Sequence, residues 1–293
     1  MKANEQDLLF ITTSLDTKWL RYQQAAIEKY FPTSKRIVIP GTKNWPYAWF
    51  EWITLIKQHS NYKYFIHIDE DCFIVNPAGI YEMIEKMEKE QTVVCGVPDG
   101  GNEWRRNNPI AINSFLMVGK IEEINKVDFE LDTLELKWED EKKEWVNNKS
   151  AYLQKKNNTP DTYRTTTAFS FNNFEPYYYF FSRLQQQEYT FSYIYPAFDK
   201  KLKSTNPRIH AASEDIAIHM WLTRKWNSDI LVFGTPNYWR YMQLEHLLAK
   251  NDIISIPRQA VFSNYSMHLY RGSKCYLKNL VRRLSNKKVF KEI

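Results

Sequence analysis

The chain has 293 residues, of which 43% are apolar and 16% are aromatic, so it has the bulk for a sizeable core and is not a disordered or fibrous chain. Lys and Arg number 40 against 34 Asp and Glu, a formal charge of +6. That excess is local, because residues 272–293 contain seven bases and one acid while the preceding residues are balanced. The charge therefore does not favour a body that binds nucleic acid.

Several further classes of protein are disfavoured by the cysteines, the glycines and the lengths of the apolar runs. The three cysteines, Cys72, Cys95 and Cys275, have no C-x-x-C spacing, so neither a disulfide framework nor a zinc knuckle is predicted. The sequence has only eight glycines and contains no glycine-rich phosphate loop of the Rossmann or P-loop type. No run reaches the roughly 18 apolar residues that a spanning helix needs. We therefore expect a cytoplasmic protein.

Short apolar runs alternate with amphipathic stretches in the first half of the chain. This alternation is typical of an α/β domain with a mostly parallel central sheet. The predicted strands cover 8–13, 36–39, 64–68, 92–97 and 114–118, and the predicted helices cover 17–30, 45–59 and a segment that begins at Pro77.

The second half of the chain is less regular. Residues 128–167 are rich in Glu, Lys, Asn and Thr, which predicts a polar insertion. An aromatic block at 177–181 is followed by a predicted helix over 213–226, a strand at 230–233 and a helix near 238–248. No compositional linker divides the chain, so we predict a single domain over 1–271 and a basic tail over 272–293.

Three acids, Asp69, Glu70 and Asp71, interrupt an apolar run at the end of the strand predicted over 64–68. Burying such carboxylates is costly unless a positive charge compensates them, and a divalent cation is the simplest compensator. Alternate residues of an extended chain share a face, so Asp69 and Asp71 are predicted to point at one ion while Glu70 faces away. Ligands of open α/β sheets collect at this end of the strands. The alternative is a polar turn whose acids cap a helix or face solvent.

With this cluster, the sequence resembles the nucleotide-sugar-dependent glycosyltransferases of the GT-A fold. The resemblance rests on residues 10–14 (FITTS), 65–71 (FIHIDED) and 113–118 (NSFLMV); it covers about 7–120 and returns at 213–226. It implies a single Rossmann-related α/β domain. In such enzymes the two D-x-D carboxylates hold Mn²⁺ or Mg²⁺ against the diphosphate of the donor.

The resemblance also implies roles for single residues. Asp71 matches the direct metal ligand, and Asp69 matches the residue that contacts the ribose or the metal. Glu70 lies between them and is expected at the donor site too. Thr13 and Ser14, at the end of the first strand, are expected beside the nucleotide base.

Two more polar residues are expected near the donor. Asn113 opens the third segment that carries the resemblance, and Asp99 follows a buried strand in a loop that can reach the hydroxyls of the donor sugar. A plain type I or II turn explains Pro98-Asp99-Gly100 equally well.

A catalytic base is expected at Asp215. Transfer with inversion needs a carboxylate that takes the proton of the acceptor hydroxyl. Residues 213–219 (SEDIAIH) are similar to the element in which inverting members of the family carry this base. Ser213 as a helix N-cap with two acids in the first turn is ordinary helix chemistry and explains the same pattern.

Histidines supply one further candidate ligand. The resemblance implies that His268, late in the chain, completes the metal shell, although a lone histidine is more often a packed residue. His67 lies in an apolar strand and is predicted to be structural. His210 and His219 have no ligand spacing near them.

The last 22 residues combine apolar positions at helical spacing (Leu277, Leu280, Val281 and Leu284) with seven bases. This pattern predicts a C-terminal amphipathic helix and favours a helix lying in the interface of an anionic membrane. A solvated terminal helix and a nucleic-acid arm are the alternatives. The membrane interpretation predicts a peripheral protein at the inner face of the membrane.

These observations lead to one functional hypothesis. The chain is predicted to be a metal-dependent hexosyltransferase that moves a sugar from a nucleotide diphosphate sugar, with UDP favoured, to a glycan or lipid-linked glycan with inversion. A retaining enzyme of the same fold and a non-catalytic carbohydrate-binding protein are the alternatives. A nucleotidyltransferase is disfavoured, because residues 12–18 contain no glycine and a single base.

Overall fold

The computed structural model describes residues 3–15, 18–41, 45–99, 111–130, 175, 177–221, 230–255, 266, 269–271, 273–278 and 280–281. Most of the predicted insertion, 131–167, and the candidate ligand His268 lie outside the described residues.

Strands and helices alternate in the first half of the chain, as the sequence predicts. The strands are β1 (Leu8–Ser14), β2 (Lys35–Pro40), β3 (Tyr64–Ile68), β4 (Cys72–Ile74), β5 (Val94–Pro98), β6 (Ile112–Lys120), β7 (Phe191–Tyr193), β8 (Tyr195–Asp199), β9 (Ser204–Arg208), β10 (Ala217–His219), β11 (Leu231–Val232) and β12 (Thr235–Pro236). The helices are α1 (Lys18–Tyr30), α2 (Trp45–Gln58), α3 (Pro77–Lys89), α4 (Ile121–Asn125), α5 (Tyr178–Gln186) and α6 (Asn237–Lys250), and the described residues of 269–281 are also helical.

The central sheet has six strands in the order β2-β1-β3-β6-β5-β7. β6 runs antiparallel to both of its neighbours, and the other pairs in this sheet are parallel. The prediction of a mostly parallel sheet is therefore confirmed. β1 and β3 are neighbours, so their carboxyl ends, which carry Ser14 and the acidic cluster, lie at the same edge.

Both faces of this sheet are covered, which explains why its strands are continuous apolar runs. Along β1, Leu9 and Ile11 join a core that includes side chains of α2 and α5. Leu8 and Phe10 join a second core, which includes side chains of α1 and α3. Neither set of alternate positions is left to solvent.

A smaller antiparallel sheet, β4-β10-β9-β8, corrects one prediction. The helix predicted over 213–226 is wrong, since Ala217–His219 is a strand that pairs with both β4 and β9. Ile218 is buried in a third core beside Phe73 and the α6 residue Tyr241. Ser213 and the acids after it are a local signal for a helix start, and two-sided strand pairing with burial overrides such local preferences.

None of the helices among the described residues has the length and apolarity needed to cross a bilayer.

His67 occupies the structural position that the sequence predicts. It is buried in β3, where its Nδ1 lies 2.6 Å from the carbonyl oxygen of Ser114 and its ring packs against Trp49 and Trp52. Burial lowers the pKa of His67 to about 4, although the hydrogen bond to Ser114 opposes that shift.

Acid should therefore destabilise the fold through His67. Its pKa rises from about 4 in the folded chain to the ordinary 6.5 on unfolding, so the unfolded state takes up a proton between these values. The free energy of unfolding is therefore unaffected by His67 above pH 6.5, and it falls by about 3 kcal/mol through this residue as the pH drops to 4. Urea unfolding between pH 4 and 6.5 measures this effect. The free energy of unfolding of His67→Gln should fall less with decreasing pH than that of the parent chain. An equal fall in both chains would show that His67 is not responsible for the acid sensitivity.

Candidate metal centre

The acidic cluster forms a turn between β3 and β4. The amide of Cys72 donates to the carbonyl oxygen of Asp69 at 3.0 Å, which closes the turn, and the amide of Asp69 donates to Phe115 in β6 at 3.0 Å. The extended backbone predicted for these acids is therefore wrong. Asp69 and Asp71 nevertheless approach each other, while Glu70 binds elsewhere.

His219 is the third member of this group. β10 pairs with β4 so that His219 is opposite Cys72, which puts its imidazole beside the turn. Its Nε2 lies 3.4 Å from Oδ1 of Asp71. One ligand atom from each of Asp69, Asp71 and His219 lies within 4.8 Å of the other two. The tertiary fold thus assembles two carboxylates and one imidazole from segments about 150 residues apart.

Two aromatic side chains hold the imidazole of His219. The ring of Phe115 stacks on it with centroids 4.1 Å apart and an interplanar angle of 13°. Trp221 lies on it at 4.2 Å and 48°. Because the carbonyl of Phe115 also binds the amide of Asp69, this residue positions two members of the group at once.

A buried guanidinium lies behind the group. Arg240 of α6 is fully buried and donates to four backbone carbonyls and one side-chain oxygen, those of Leu202, Lys203, Met220, Trp221 and Asn237. The amide of Met220 in turn donates to the carbonyl of Asp71 at 3.0 Å. Burial lowers the pKa of Arg240 to about 10, opposed by Tyr241 and Asp71, so it remains a cation at neutral pH.

The donor set consists of oxygen and nitrogen atoms. Cys72 follows Asp71 directly, but burial raises the pKa of its thiol well above the ordinary value, and the charges of Asp71 and Asp69 raise it further. The thiol therefore stays protonated and is a poor ligand. Two carboxylates with one neutral imidazole suit a divalent ion such as Mn²⁺, whereas Mg²⁺ takes oxygen ligands almost exclusively.

Glu70 connects the turn to the end of β1. Its Oε2 accepts from the hydroxyl of Ser14 at 2.6 Å and from the amide of Leu15 at 3.2 Å, and the carboxylate is nearly buried. Thr13 lies beside them, with its hydroxyl 3.4 Å from Nε2 of His67. Ser14 and Glu70 thus contact each other at this edge, while Thr13 contacts His67. A role of these three residues in binding a donor stays a prediction.

Asp99 and Asn113 bind each other next to this edge. Asp99 is fully buried, and its carboxylate accepts from the amide of Asn113 and the hydroxyl of Tyr178. Asn113 accepts from the amide of Phe115 at 3.1 Å, which connects the pair to the residue that holds Asp69 and His219. A contact of Asp99 with a donor sugar stays a prediction.

Asp215 is not brought to the metal group. Its carboxylate accepts from Asn206 at 2.7 Å and forms an ion pair with Arg208. It precedes β10, and it is not a member of the group formed by Asp69, Asp71 and His219. The role of catalytic base stays a prediction for Asp215, and neither the helix expected to carry it nor proximity to the acids supports it.

His219 is the functional candidate that sequence reasoning missed. The available signal was a short apolar run, 216–220, interrupted by this single polar residue, which is compatible with a buried strand. Its pairing with β4, and hence its position beside Asp71, is not readable from local sequence.

No protein-family model matches the chain, and no curated protein matches it. Among solved structures, A197 from STIV is similar at 12% identity with a TM-score of 0.34, and the alignment covers 41% of this chain and 68% of that chain. A glycosyltransferase involved in the glycosylation of the major capsid of PBCV-1 is similar at 14% identity with a TM-score of 0.31, and the alignment covers 41% of this chain and 62% of that chain. The second alignment thus spans less than two thirds of its partner. Similarities of this extent do not assign the chain to a family.

Proposed function

We propose that this protein is a metal-dependent glycosyltransferase that moves a sugar from a UDP-sugar to a glycan or lipid-linked glycan. The observation that carries the proposal is the convergence of Asp69, Asp71 and His219 at the carboxyl edge of a mostly parallel sheet. Ligands of open α/β sheets bind at this edge. Because this protein has no glycine-rich loop to bind a diphosphate, a bound cation would supply the positive charge. The end of β1 and the start of β6, at residues 113–118, also lie at this edge. Both belong to the segments in which the sequence resembles the GT-A glycosyltransferases.

The proposed metal site uses residues that already face one another. Asp69, Asp71 and His219 would hold the ion, with Mn²⁺ favoured over Mg²⁺ by the imidazole ligand. A cation held there supplies charge neutralisation for a diphosphate leaving group. Arg240 adds a fixed positive charge behind the turn and holds the carbonyl of the residue after His219.

The donor would lie against the edge formed by β1 and the acidic turn. We assign Thr13 and Ser14 to the nucleoside side, where Glu70 fixes the backbone at Leu15 through its hydrogen bond. Asp99 and Asn113 are assigned to the sugar side, as one buried hydrogen-bonded pair.

The stereochemical outcome has two candidates. Inversion through Asp215 is the first candidate. A retaining enzyme of the same fold is the second, and it is supported by the ion pair of Asp215 with Arg208 and by the absence of Asp215 from the group of Asp69, Asp71 and His219. The anomeric configuration of the product, read by NMR, decides between them.

Calorimetric titration with UDP tests the proposal. Because the phosphates would be bound mainly through the cation, UDP should bind at least about tenfold more tightly with Mn²⁺ than with EDTA, a difference of about 1.4 kcal/mol. UDP affinity that does not change with Mn²⁺ would contradict a metal-dependent transferase. Metal-dependent UDP binding with glycan binding, but without turnover of any UDP-sugar, would instead support the carbohydrate-binding alternative.

A further inference from the structure

Exposed apolar side chains are concentrated near the C-terminus. Seven large hydrophobic residues are exposed in the part of the chain that the structure describes, and all but Val38 lie within 269–281. We call these six the C-terminal apolar face: Leu269, Tyr270, Tyr276, Leu277, Leu280 and Val281. Contiguous apolar surface of this kind marks an interaction site, whereas single exposed residues such as Val38 need no explanation.

The six residues lie on one side of a helix. The described residues of 269–281 are helical. At 3.6 residues per turn, Tyr270, Leu277 and Val281 form one row, and the other three form an adjoining row, so the face spans about 140° of the helix circumference. The side chains of Tyr270, Leu277 and Val281 are the most open, at 68%, 60% and 62% exposure.

The opposite side of this helix contacts the body of the protein. Cys275 is fully buried. Arg271 donates to the hydroxyl of Tyr238 in α6 at 3.2 Å, and its guanidinium lies 5.4 Å from the centre of the Tyr238 ring. The helix is therefore anchored by one side while its apolar face points outward.

Positive charge borders the apolar face. By the same helical geometry, Lys274 and Lys278 follow Val281 around the circumference, at the edge of the face. Together with Tyr270, Leu277 and others they line a shallow depression of about 600 Å³. Residues 272–293 carry seven bases against one acid. An apolar face edged by lysines matches a bilayer interface, where apolar groups enter the acyl boundary and ammonium groups reach lipid phosphates.

We propose that the C-terminal apolar face docks the protein on an anionic membrane surface. The positive charge favours an anionic membrane over a second copy of the chain as the binding partner of this face. Pairing two copies face to face would bring two sets of lysines and two basic tails together. Anionic lipid instead neutralises them. This inference is independent of the proposed transferase activity, since docking needs neither metal nor UDP.

Vesicle co-sedimentation of the full chain tests the inference. Vesicles of phosphatidylcholine with phosphatidylglycerol should bind the protein at least about tenfold more tightly than phosphatidylcholine alone, and high salt should remove most of the difference. Leu277→Ser with Val281→Ser should weaken binding by at least about tenfold, because each side chain loses its transfer into the lipid interface. Val38→Ser, at an exposed hydrophobic site on β2, should bind like the parent chain.

A second pair of variants separates charge from apolar insertion. Lys274→Ser with Lys278→Ser should reduce the salt dependence of binding, whereas Lys200→Ser with Lys201→Ser, which removes two exposed lysines elsewhere, should not. Binding that is absent, equal on neutral vesicles, or unchanged in Leu277→Ser with Val281→Ser overturns the proposal. Sedimentation showing a dimer that these two substitutions dissociate would assign the face to self-association instead.

Discussion

Asparagine in place of Asp71 should weaken Mn²⁺ binding by at least about 100-fold. Asp71 lies in the acidic turn, and its Oδ1 is 3.4 Å from the imidazole Nε2 of His219. Losing a residue that merely supports a ligand costs about 10-fold to 100-fold in metal affinity, so losing an anionic ligand costs more. The amide keeps the shape of the side chain, so the turn at Asp69 survives.

Titration of free Mn²⁺ by electron paramagnetic resonance measures this effect directly. Asp252→Asn is the matched control, because it makes the same chemical change at an exposed position and should leave the affinity unaltered. Equal loss in both variants, or no loss in Asp71→Asn, would remove Asp71 from the metal site.

Histidine variants identify the third ligand in the same experiment. His219→Gln should weaken Mn²⁺ binding, because the tertiary structure puts this imidazole beside Asp71. His268→Gln should not, if His219 fills the position that the family resemblance assigned to His268. The reverse result would assign the third ligand to His268 and leave His219 as a packed histidine between Phe115 and Trp221.

Methionine in place of Arg240 should lower the free energy of unfolding by about 3 to 5 kcal/mol, the usual cost of removing one partner from a buried charged network. The guanidinium is fully buried and holds three segments together: the loop at Leu202, the end of β10 at Met220, and α6. Methionine fills similar space but leaves four carbonyls and an amide oxygen without this donor. Urea unfolding at neutral pH measures the loss.

Two comparisons make the Arg240 prediction specific. Arg36→Met removes a surface arginine that pairs with the exposed Glu28, and it should cost less than about 1 kcal/mol. In Arg240→Lys the lysine keeps the charge but cannot donate to all of the acceptors. Its loss in free energy of unfolding should therefore lie between those of Arg36→Met and Arg240→Met. An Arg240→Met chain as stable as Arg36→Met would show that the network does not hold these segments.

Much of the first half of the chain was predictable. β3 was predicted with its observed bounds, and β1, α1 and α2 to within a residue or two at their ends, because burial on both faces of the sheet leaves long apolar runs. The acidic cluster also stands out locally, since Asp69 to Asp71 interrupt such a run. Its backbone did not follow the prediction, because a turn bonded from Asp69 to Cys72 replaces the extended chain.

The segment around Asp215 shows why the rest was not predictable. A serine followed by two acids is a common start of a helix, and those local preferences are worth about 1 kcal/mol. β4 and β9 flank residues 217–219 and pair with them on both sides, which outweighs that signal. The same pairing brings His219 to the acidic turn and leaves Asp215 with Arg208.

By itself, the sequence determined which segments of the first half of the chain form strands of the central sheet, where acids gather at a strand end, and that the positive charge belongs to the last 22 residues. These properties depend on neighbours along the chain, so periodicity and composition report them. Only the tertiary structure decided which histidine joins Asp69 and Asp71, and that Arg240 lies buried behind them. Both depend on the register of strands that are far apart in sequence, and strand register is set by packing of the whole domain.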